Sequence, residues 1–283
     1  MFDIVKKQVL APSIKLFEVY APEIAAKAQP GQFVILRIDE RGERIPLTIA
    51  DYNREKGLLV LIFQEVGRST LEMGKLEEGD GILDLVGPLG RPSEVEYHGR
   101  VVCIGGGVGV APVYPITRAL KQKGNEVISI IGARSADHLI LEQEMAAVSD
   151  KLYITSDDGS VGHKGFVTDV LNDLLKEGTA LDYIIAIGPL VMMKAVCELS
   201  KPYGVKTTVS LNPIMVDGTG MCGACRVVVD SETKFACVDG PEFDGHQVDW
   251  ELAQMRSRMF QEEEKIAMQN ACGGGDCQCQ RQE

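Results

Sequence analysis

Val101-Val-Cys-Ile-Gly-Gly-Gly-Val-Gly-Val-Ala-Pro112 is the stretch of sequence from which the fold can be argued. Its apolar start is typical of a buried strand, and its glycines are typical of a tight turn into a helix with proline in the first turn. Backbone N–H groups of such a turn can approach a phosphate, because the helix dipole favours negative charge there. Val110 stands where the G-x-G-x-x-G pattern has its third glycine, so a turn without a ligand remains the alternative. The candidate nucleotide-binding residues of this loop are Gly105, Gly106, Gly107, Gly109, Ala111 and Pro112.

Strand-like and helix-like segments alternate on the C-terminal side of this loop. The predicted strands cover residues 100–104, 126–131, 152–155, 183–187 and 206–210, and the predicted helices cover 112–123, 139–148, 165–176 and 190–199. Apolar strands that alternate with helices predict a parallel sheet covered on both faces. Ligands bind such sheets at the carboxyl ends of the strands. The further candidates for nucleotide binding at these ends are Arg134, Asp157, Asp158, Gly188 and Pro189, although a turn is the better explanation of the two aspartates taken alone.

The N-terminal side of the loop has a different pattern. Short alternating runs at 15–20, 32–38 and 58–63 are separated by glycine, proline and charged residues. This spacing predicts an antiparallel barrel or sandwich. A polar segment at 90–99 marks the junction between the two patterns.

Cysteines are concentrated on the C-terminal side of the predicted sheet. Asp217-Gly-Thr-Gly-Met-Cys222-Gly-Ala-Cys225 is followed by Cys237, and these residues fit the C-x4-C-x2-C spacing of plant-type 2Fe-2S sites if Asp217 takes the first place. Small residues between the ligands allow the chain to wrap a compact cluster. A tetrahedral zinc site with three cysteines and one aspartate is the alternative. The segment therefore predicts a metal centre with Asp217, Cys222, Cys225 and Cys237 as ligands.

The glycine loop resembles the pyridine-nucleotide loop of the ferredoxin-NADP reductase superfamily. The resemblance implies a β-barrel FAD domain followed by an α/β parallel-sheet domain that binds NAD(H) or NADP(H), with the 2Fe-2S module as a C-terminal addition. Aligning Thr48 with the family's flavin-contacting serine puts Ile45 at the arginine position, so Arg44 or Arg68 would have to reach the FAD phosphate. The FAD-binding residues that the resemblance implies are Arg44, Pro46, Leu47, Thr48, Gly67, Ser69 and Thr70.

Two groups within the superfamily are more similar still over about residues 1–268. One is the electron-transfer subunit of B-type dihydroorotate dehydrogenases. The other is the small subunit of NADH-dependent ferredoxin:NADP oxidoreductases, also described as the sulfide dehydrogenase small subunit, in which aspartate replaces the first cysteine, as at Asp217. That resemblance implies an electron-bifurcating complex with a larger glutamate-synthase-like flavoprotein that carries FAD and 4Fe-4S clusters and reacts with ferredoxin.

Hydride transfer between nicotinamide and flavin requires no protein acid or base, so no catalytic side chain is predicted. A nucleotide-sensing module with a structural zinc is the non-redox alternative. The sequence does not distinguish NADH from NADPH, because Arg134 is compatible with either nucleotide.

Composition narrows the classes of partner. The formal net charge is −12 and the sequence pI is about 4.9, which argues against nucleic-acid binding. No apolar run approaches the roughly 18 residues of a membrane span, and no export signal accompanies the eight cysteines. We therefore predict a cytoplasmic protein without a membrane or nucleic-acid partner.

The predicted domains are a barrel at 1–97, a nucleotide-binding domain at 98–211, a cluster module at 212–248 and a C-terminal helix with a flexible cysteine-rich tail at 249–283. Cys103 and Cys197 are expected to be small buried hydrophobic residues. Cys272, Cys277 and Cys279 are expected in the flexible tail.

Overall fold

The computed structural model describes residues 1–271 and begins with a seven-stranded antiparallel sheet. The order is β6-β1-β2-β5-β4-β3-β7. The two outer strands, β6 and β7, are consecutive in the chain, so the ends of the sheet come together in a nearly closed barrel. Phe17 and Phe63 pack edge to face in its interior, with ring centroids 5.0 Å apart. The strands are β1 (Phe2–Ala11), β2 (Ile14–Tyr20), β3 (Phe33–Arg37), β4 (Ile45–Asn53), β5 (Leu58–Gln64), β6 (Gly81–Ile82) and β7 (Asp84–Leu89).

Two short helices accompany the barrel. Helix α1 (Pro22–Ala25) follows β2, and helix α2 (Arg68–Met73) begins at the turn after β5. No strand or helix occurs between Leu89 and Arg100, the segment in which the sequence predicts a junction.

The second sheet also has seven strands, in the order β11-β10-β9-β8-β12-β13-β16. All neighbouring pairs are parallel except β13 with β16, which is antiparallel. This confirms the predicted parallel nucleotide-binding sheet and adds two strands to it, β11 and β16. The strands are β8 (Arg100–Gly106), β9 (Glu126–Ala133), β10 (Lys151–Ser156), β11 (His163–Lys164), β12 (Tyr183–Ile187), β13 (Lys206–Ser210) and, further along the chain, β16 (Glu242–Asp244).

Helices cover both faces of this sheet. Along β8, Val101 and Cys103 face one layer, whereas Val102 and Ile104 face the other, because successive strand residues point to opposite sides. Helices α3 and α4 pack on the first face, and α5 and α6 pack on the second. The helices are α3 (Val110–Gln122), α4 (Glu142–Ala147), α5 (Val167–Lys176) and α6 (Leu190–Ser200).

Helix α4 is shorter than the predicted 139–148. Leu141 adopts a left-handed conformation with φ 56°, so the helix cannot include the residues before it. His163, which the sequence places in a loop, lies in the two-residue strand β11 and is exposed. These local differences leave the carboxyl edge of the sheet unchanged.

The segment 212–246 is more regular than the loop-dominated module that its composition predicts. Strands β14 (Arg226–Val229) and β15 (Glu232–Phe235) form a hairpin, followed by the short helix α7 (Ala236–Asp239). Strand β16 then pairs with β13 and joins the large sheet. Because a segment of the predicted module belongs to this sheet, the domain boundaries inferred from sequence remain a proposal.

The C-terminal segment forms two helices rather than the single one predicted over 250–269. Helix α8 (Trp250–Ser257) ends before a break at Phe260, which has φ 67°, and helix α9 (Gln261–Ala271) follows. The prediction of a flexible tail with Cys272, Cys277 and Cys279 falls outside the described residues. Within residues 1–271, no helix is long and apolar enough to cross a membrane.

Glu242 connects the edge strand β16 to the segment between the two large sheets. It is a half-buried residue, and its carboxyl oxygen accepts a hydrogen bond from the Ser93 hydroxyl at 2.5 Å. Burial of the carboxyl group raises the pKa of Glu242 to about 7 from the ordinary value of 4.5. The folded chain therefore binds more protons than the unfolded chain between these two pH values.

We expect this group to make the free energy of unfolding decrease as pH rises from about 4.5 to about 7, by about 1 to 3 kcal/mol. Glu242→Gln keeps the side-chain shape but removes the titration, so it should remove this decrease. Denaturant unfolding at pH 5 and pH 8 measures it. Glu198→Gln on the exposed surface of α6 is the control. If the free energy of unfolding depends on pH equally in wild type and Glu242→Gln, the pKa of Glu242 is not raised by folding.

Candidate nucleotide, flavin and cluster site

The glycine loop forms the turn from β8 into α3. Gly107 has φ 56°, and no atom lies within 4 Å of the position that a Cβ atom would occupy there. Gly109 has the opposite environment, because a Cβ would lie 2.3 Å from the Ile187 carbonyl oxygen. The loop is therefore held against β12 on one side and open on the other. Ala111 and Pro112 lie in the first turn of α3, as expected.

The neighbouring loop between β12 and α6 completes this part of the edge. A Cβ at Gly106 would lie 2.4 Å from the Met192 sulfur and 3.2 Å from the Pro189 ring, and a Cβ at Gly188 would lie 3.1 Å from the Gly106 carbonyl oxygen. The two loops touch because glycine occupies both contact positions. The structure thus brings the candidates at 105–109 and 188–189 together.

The other nucleotide candidates lie at the ends of β9 and β10. Arg134 and Asp157 are exposed, and the Asp158 N–H donates to the Arg134 carbonyl oxygen at 3.2 Å. The Asp158 carboxylate accepts bonds from the Ser160 hydroxyl and N–H, which lower the pKa of that carboxyl group. Asp158 therefore has a structural role in its own turn, whereas Arg134 and Asp157 project from the edge without such contacts among residues 1–271.

The flavin candidates lie on two segments of the barrel. Residues 45–48 of β4 pair only with β3, whereas the second half of β4 pairs with β5. Pro46 is therefore accommodated where one side of the strand has no partner. Leu47 and Thr48 are half-buried, and Arg44 is exposed before the strand. Thr48 pairs with Phe33 on β3, which fixes its position in the barrel.

Gly67, Ser69 and Thr70 form the turn that begins α2. Ser69 donates its hydroxyl hydrogen bond to the Glu43 carboxylate at 2.8 Å, which connects this turn to the start of β4. Thr70 accepts bonds from the N–H groups of Val66 and Gly67, both at 3.1 Å, so its hydroxyl caps the helix. No atom lies within 4 Å of a Cβ position at Gly67. The two flavin-candidate segments are thus adjacent, with an open glycine between them.

A bidentate ion pair joins the barrel to the nucleotide-binding sheet. The Arg118 guanidinium on α3 donates to both carboxylate oxygens of Asp51 on β4, at 2.9 and 2.5 Å. This pair raises the pKa of the arginine, and the Tyr114 ring stacks 5.2 Å from its guanidinium carbon. Asp51 is three residues after Thr48, and Arg118 is on the helix that starts at the glycine loop. Sequence reasoning missed this pair, because residues 67 positions apart give no local signal.

Two of the predicted metal ligands are in contact. The sulfur atoms of Cys225 and Cys237 are 3.2 Å apart, and both residues are buried. Burial, followed by the neighbouring Cys225 thiol, raises the pKa of Cys237 to about 12. Binding of a metal to these sulfurs would therefore release protons. Cys222 lies nearby in sequence but is exposed.

Asp217 organises the loop before the cysteines. One carboxylate oxygen accepts bonds from the Thr219 N–H and hydroxyl, and the other accepts the Cys222 N–H at 3.1 Å. The Thr219 hydroxyl and the Cys222 N–H lower the pKa of Asp217 to about 2. A carboxylate that is ionised at neutral pH lies beside Cys222, but it does not converge on the buried sulfur pair.

The chemistry of this loop fits an iron-sulfur cluster, although the four candidates are not preassembled. Gly218, Gly220 and Gly223 all have positive φ, which lets the chain curve around a compact group. Among residues 1–271, no three His, Cys, Asp or Glu side chains are already grouped to hold a metal ion. If these four residues bind one metal centre, their side chains have to come together there.

The cluster loop packs against the barrel strands β3 and β7. A Cβ at Gly218 would lie 2.6 Å from Ile35 on β3 and 2.8 Å from Leu89 on β7. Phe33 and Ile35 share a hydrophobic cluster with Cys225 and Cys237. The barrel, the glycine loop and the cysteine loop therefore lie on one connected part of the molecule.

Comparison with protein families identifies two modules. Residues 212–249 match the iron-sulfur cluster binding domain of dihydroorotate dehydrogenase B, and residues 103–198 match the oxidoreductase NAD-binding domain. These ranges contain the cysteine loop and most of the parallel sheet with its glycine loop. Cys103 and Cys197 lie in the second range and are buried, as predicted.

Comparison with whole proteins finds relatives that match most of the chain. A Thermotoga maritima protein named as a homolog of the dihydroorotate dehydrogenase B (NAD+) electron-transfer subunit is 50% identical and covers 94% of this chain and 93% of its own length. The corresponding subunit from Desulforamulus reducens is 33% identical and covers 86% and 95%. A solved chain from the NADH-dependent reduced ferredoxin-NADP oxidoreductase, described for flavin-based electron bifurcation, is 49% identical with a TM-score of 0.91 and covers 95% and 97%.

Proposed function

Because the chain belongs to the family of dihydroorotate dehydrogenase B electron-transfer subunits and their homologues, within the ferredoxin-NADP reductase superfamily, we propose that it transfers electrons between NAD(H) and a larger partner in an electron-bifurcating complex. The observation that carries the proposal is the packing of the cysteine loop against β3 of the barrel. This arrangement puts a nucleotide loop, a flavin barrel and a cluster module next to one another in one chain.

The chain's own residues act by binding and orientation. The N–H groups at the start of α3 bind the nucleotide pyrophosphate, and Gly107 provides the open side that the phosphates approach. Gly188 and Pro189 line the neighbouring loop. The Asp51–Arg118 ion pair holds α3 against β4, so the nucleotide loop keeps a fixed position relative to Thr48.

In the barrel, residues 44–48 and 67–70 would hold FAD, with the Thr48 hydroxyl available to the flavin ring and the exposed Arg44 available to a phosphate. Asp217, Cys222, Cys225 and Cys237 hold the 2Fe-2S cluster. Bound FAD supplies the conversion of a two-electron hydride step into single-electron steps.

We also propose a partner and a reaction for this chain. We assign a glutamate-synthase-like flavoprotein with FAD and 4Fe-4S clusters, which exchanges electrons with NADP(H) and ferredoxin. Asp217 in the first ligand position favours this reading over the dihydroorotate enzymes. Sequence identity does not separate the two readings, because the bifurcating oxidoreductase chain is 49% identical and the Thermotoga maritima homolog named after the dihydroorotate enzyme is 50% identical.

An anaerobic titration of the purified chain with NADH tests the electron path. The visible spectrum should lose flavin and iron-sulfur absorption together, and dithionite gives the fully reduced reference. A colourless protein that cannot be reconstituted with FAD, iron and sulfide would reject the redox function in favour of a zinc-stabilised nucleotide-binding module. Bleaching by dithionite without any response to NADH would reject the nucleotide step.

The native complex, isolated through this chain, tests the partner. Supplied with NADPH, NAD+ and oxidised ferredoxin, a bifurcating complex reduces NAD+ and ferredoxin together and reduces neither when the other acceptor is omitted. Dihydroorotate-dependent reduction of NAD+ would instead identify the dihydroorotate enzyme.

A further inference from the structure

Helix α8 is fixed to the cluster module although it follows the module in sequence. The Asp249 carboxylate caps the helix by accepting the Leu252 N–H at 2.9 Å, and the Asp249 N–H donates to the Val228 carbonyl oxygen at 2.9 Å. The Trp250 indole donates to the Gly245 carbonyl oxygen at 3.0 Å. These contacts hold α8 against β14 and determine where its last turn lies.

The last turn of α8 carries Arg256, which contacts the cysteine loop directly. Its guanidinium donates to the Ala224 carbonyl oxygen at 2.9 Å, and Ala224 lies between Cys222 and Cys225. A trans peptide directs its C=O and N–H in opposite directions, so this bond turns the Cys225 N–H away from the arginine. Within residues 1–271, that N–H has no acceptor. The arginine therefore fixes the orientation of the peptide between Ala224 and Cys225. The carbonyl oxygen of this peptide points towards α8, and its N–H group points to the opposite side.

The charge of Arg256 is not balanced by the described part of the chain. Its Nε atom is buried and has no hydrogen-bond partner among residues 1–271. No carboxylate of these residues forms an ion pair with it. Arg256 is half-buried, and leaving its buried Nε–H unpaired is costly unless an acceptor or anion lies near it. Three thiolates and a carboxylate around an iron-sulfur cluster would provide that anion beside the same loop.

We propose that Arg256 is a positioning residue for the cluster, which holds the Cys222–Cys225 loop and supplies a positive charge that raises the cluster's reduction potential. Uptake of one electron adds one negative charge to the cluster, and a nearby cation stabilises that reduced form. Arg256 lies outside residues 212–249, so the match to the iron-sulfur binding domain does not include it. The inference rests on cluster binding, which is part of the proposed function.

The test is a redox titration of the cluster in the full chain, followed by electron paramagnetic resonance. Arg256→Gln removes the charge but keeps an amide donor for the Ala224 carbonyl oxygen, and Arg256→Lys keeps the charge. Arg258→Gln is the matched control, because Arg258 is exposed at the end of the same helix. We expect Arg256→Gln to lower the ratio of reduced to oxidised cluster about tenfold at a fixed potential, which is about 59 mV for one electron. Arg256→Lys and Arg258→Gln should stay near wild type.

Equal midpoint potentials in Arg256→Gln, Arg258→Gln and wild type would overturn the proposal, as would an equal decrease in Arg256→Lys and Arg256→Gln. If Arg256→Gln binds no cluster, Arg256→Lys decides the matter: an unchanged potential supports the role of charge, and a lowered one rejects it. Wild-type protein is measured first. A wild type without a cluster signal would reject the proposed function itself, whereas a normal wild-type signal with unshifted variants rejects only the role of Arg256.

Discussion

Cys222→Ala is expected to remove most of the 2Fe-2S cluster while leaving the fold intact. The Cys222 side chain is exposed and fills no part of the core, so its loss creates no cavity. It is nevertheless the predicted ligand nearest to Asp217, whose carboxylate accepts its N–H at 3.1 Å. Three remaining ligands would hold the cluster poorly, so iron and acid-labile sulfide per chain should decrease by about tenfold or more.

The control for this variant is Cys197→Ala. Cys197 is buried on α6, so its truncation should reduce stability modestly, by about 1 kcal/mol, without loss of iron. Iron analysis, the visible spectrum and thermal unfolding distinguish the two effects. A Cys222→Ala protein with the wild-type content of iron and sulfide would show that Cys222 is not a ligand, and a tetrahedral zinc site would be detected by metal analysis of the same samples.

Two alanine substitutions in the glycine loop are expected to have different effects, one mainly on nucleotide binding and the other mainly on stability. Gly107→Ala places a methyl group in open space, where we expect it to hinder the phosphates and raise the dissociation constant for NADH about tenfold, or about 1.4 kcal/mol. Its cost to folding is about 1 kcal/mol, because φ 56° is unfavourable for alanine. Gly109→Ala instead forces a Cβ to 2.3 Å from the Ile187 carbonyl oxygen and should destabilise the fold by about 2 kcal/mol or more.

Each protein serves as the control for the other. Denaturant unfolding measures stability, and a binding titration with NADH at a temperature where both variants are folded measures affinity. If Gly107→Ala binds NADH as tightly as wild type, the open side of the loop is not where the phosphates lie. If Gly109→Ala is as stable as wild type, the contact between the glycine loop and β12 is not rigid.

The sequence predicts helices and strands best where apolar residues recur with a clear period or where closely spaced glycines mark a turn. The strands at 100–106 and 183–187 and the helix after the glycine loop follow this rule. Predictions were wrong where a single backbone conformation decides the outcome. Phe260 with φ 67° divides one helix into two, and Leu141 with φ 56° delays the start of α4. Neither residue type signals a left-handed conformation in a sequence.

The sequence by itself determined the two sheet types, and it predicts a phosphate-binding glycine loop and the residue types of the candidate cluster ligands, because these depend on short-range period and spacing. Only the tertiary structure decided that Cys225 and Cys237 touch while Cys222 stays exposed, and that Arg118 pairs with Asp51. It also brought Arg256 onto the loop between the cysteines, 32 residues away in sequence. Such contacts depend on how separate elements pack, and local patterns of hydrophobicity contain no information about which distant side chains will meet.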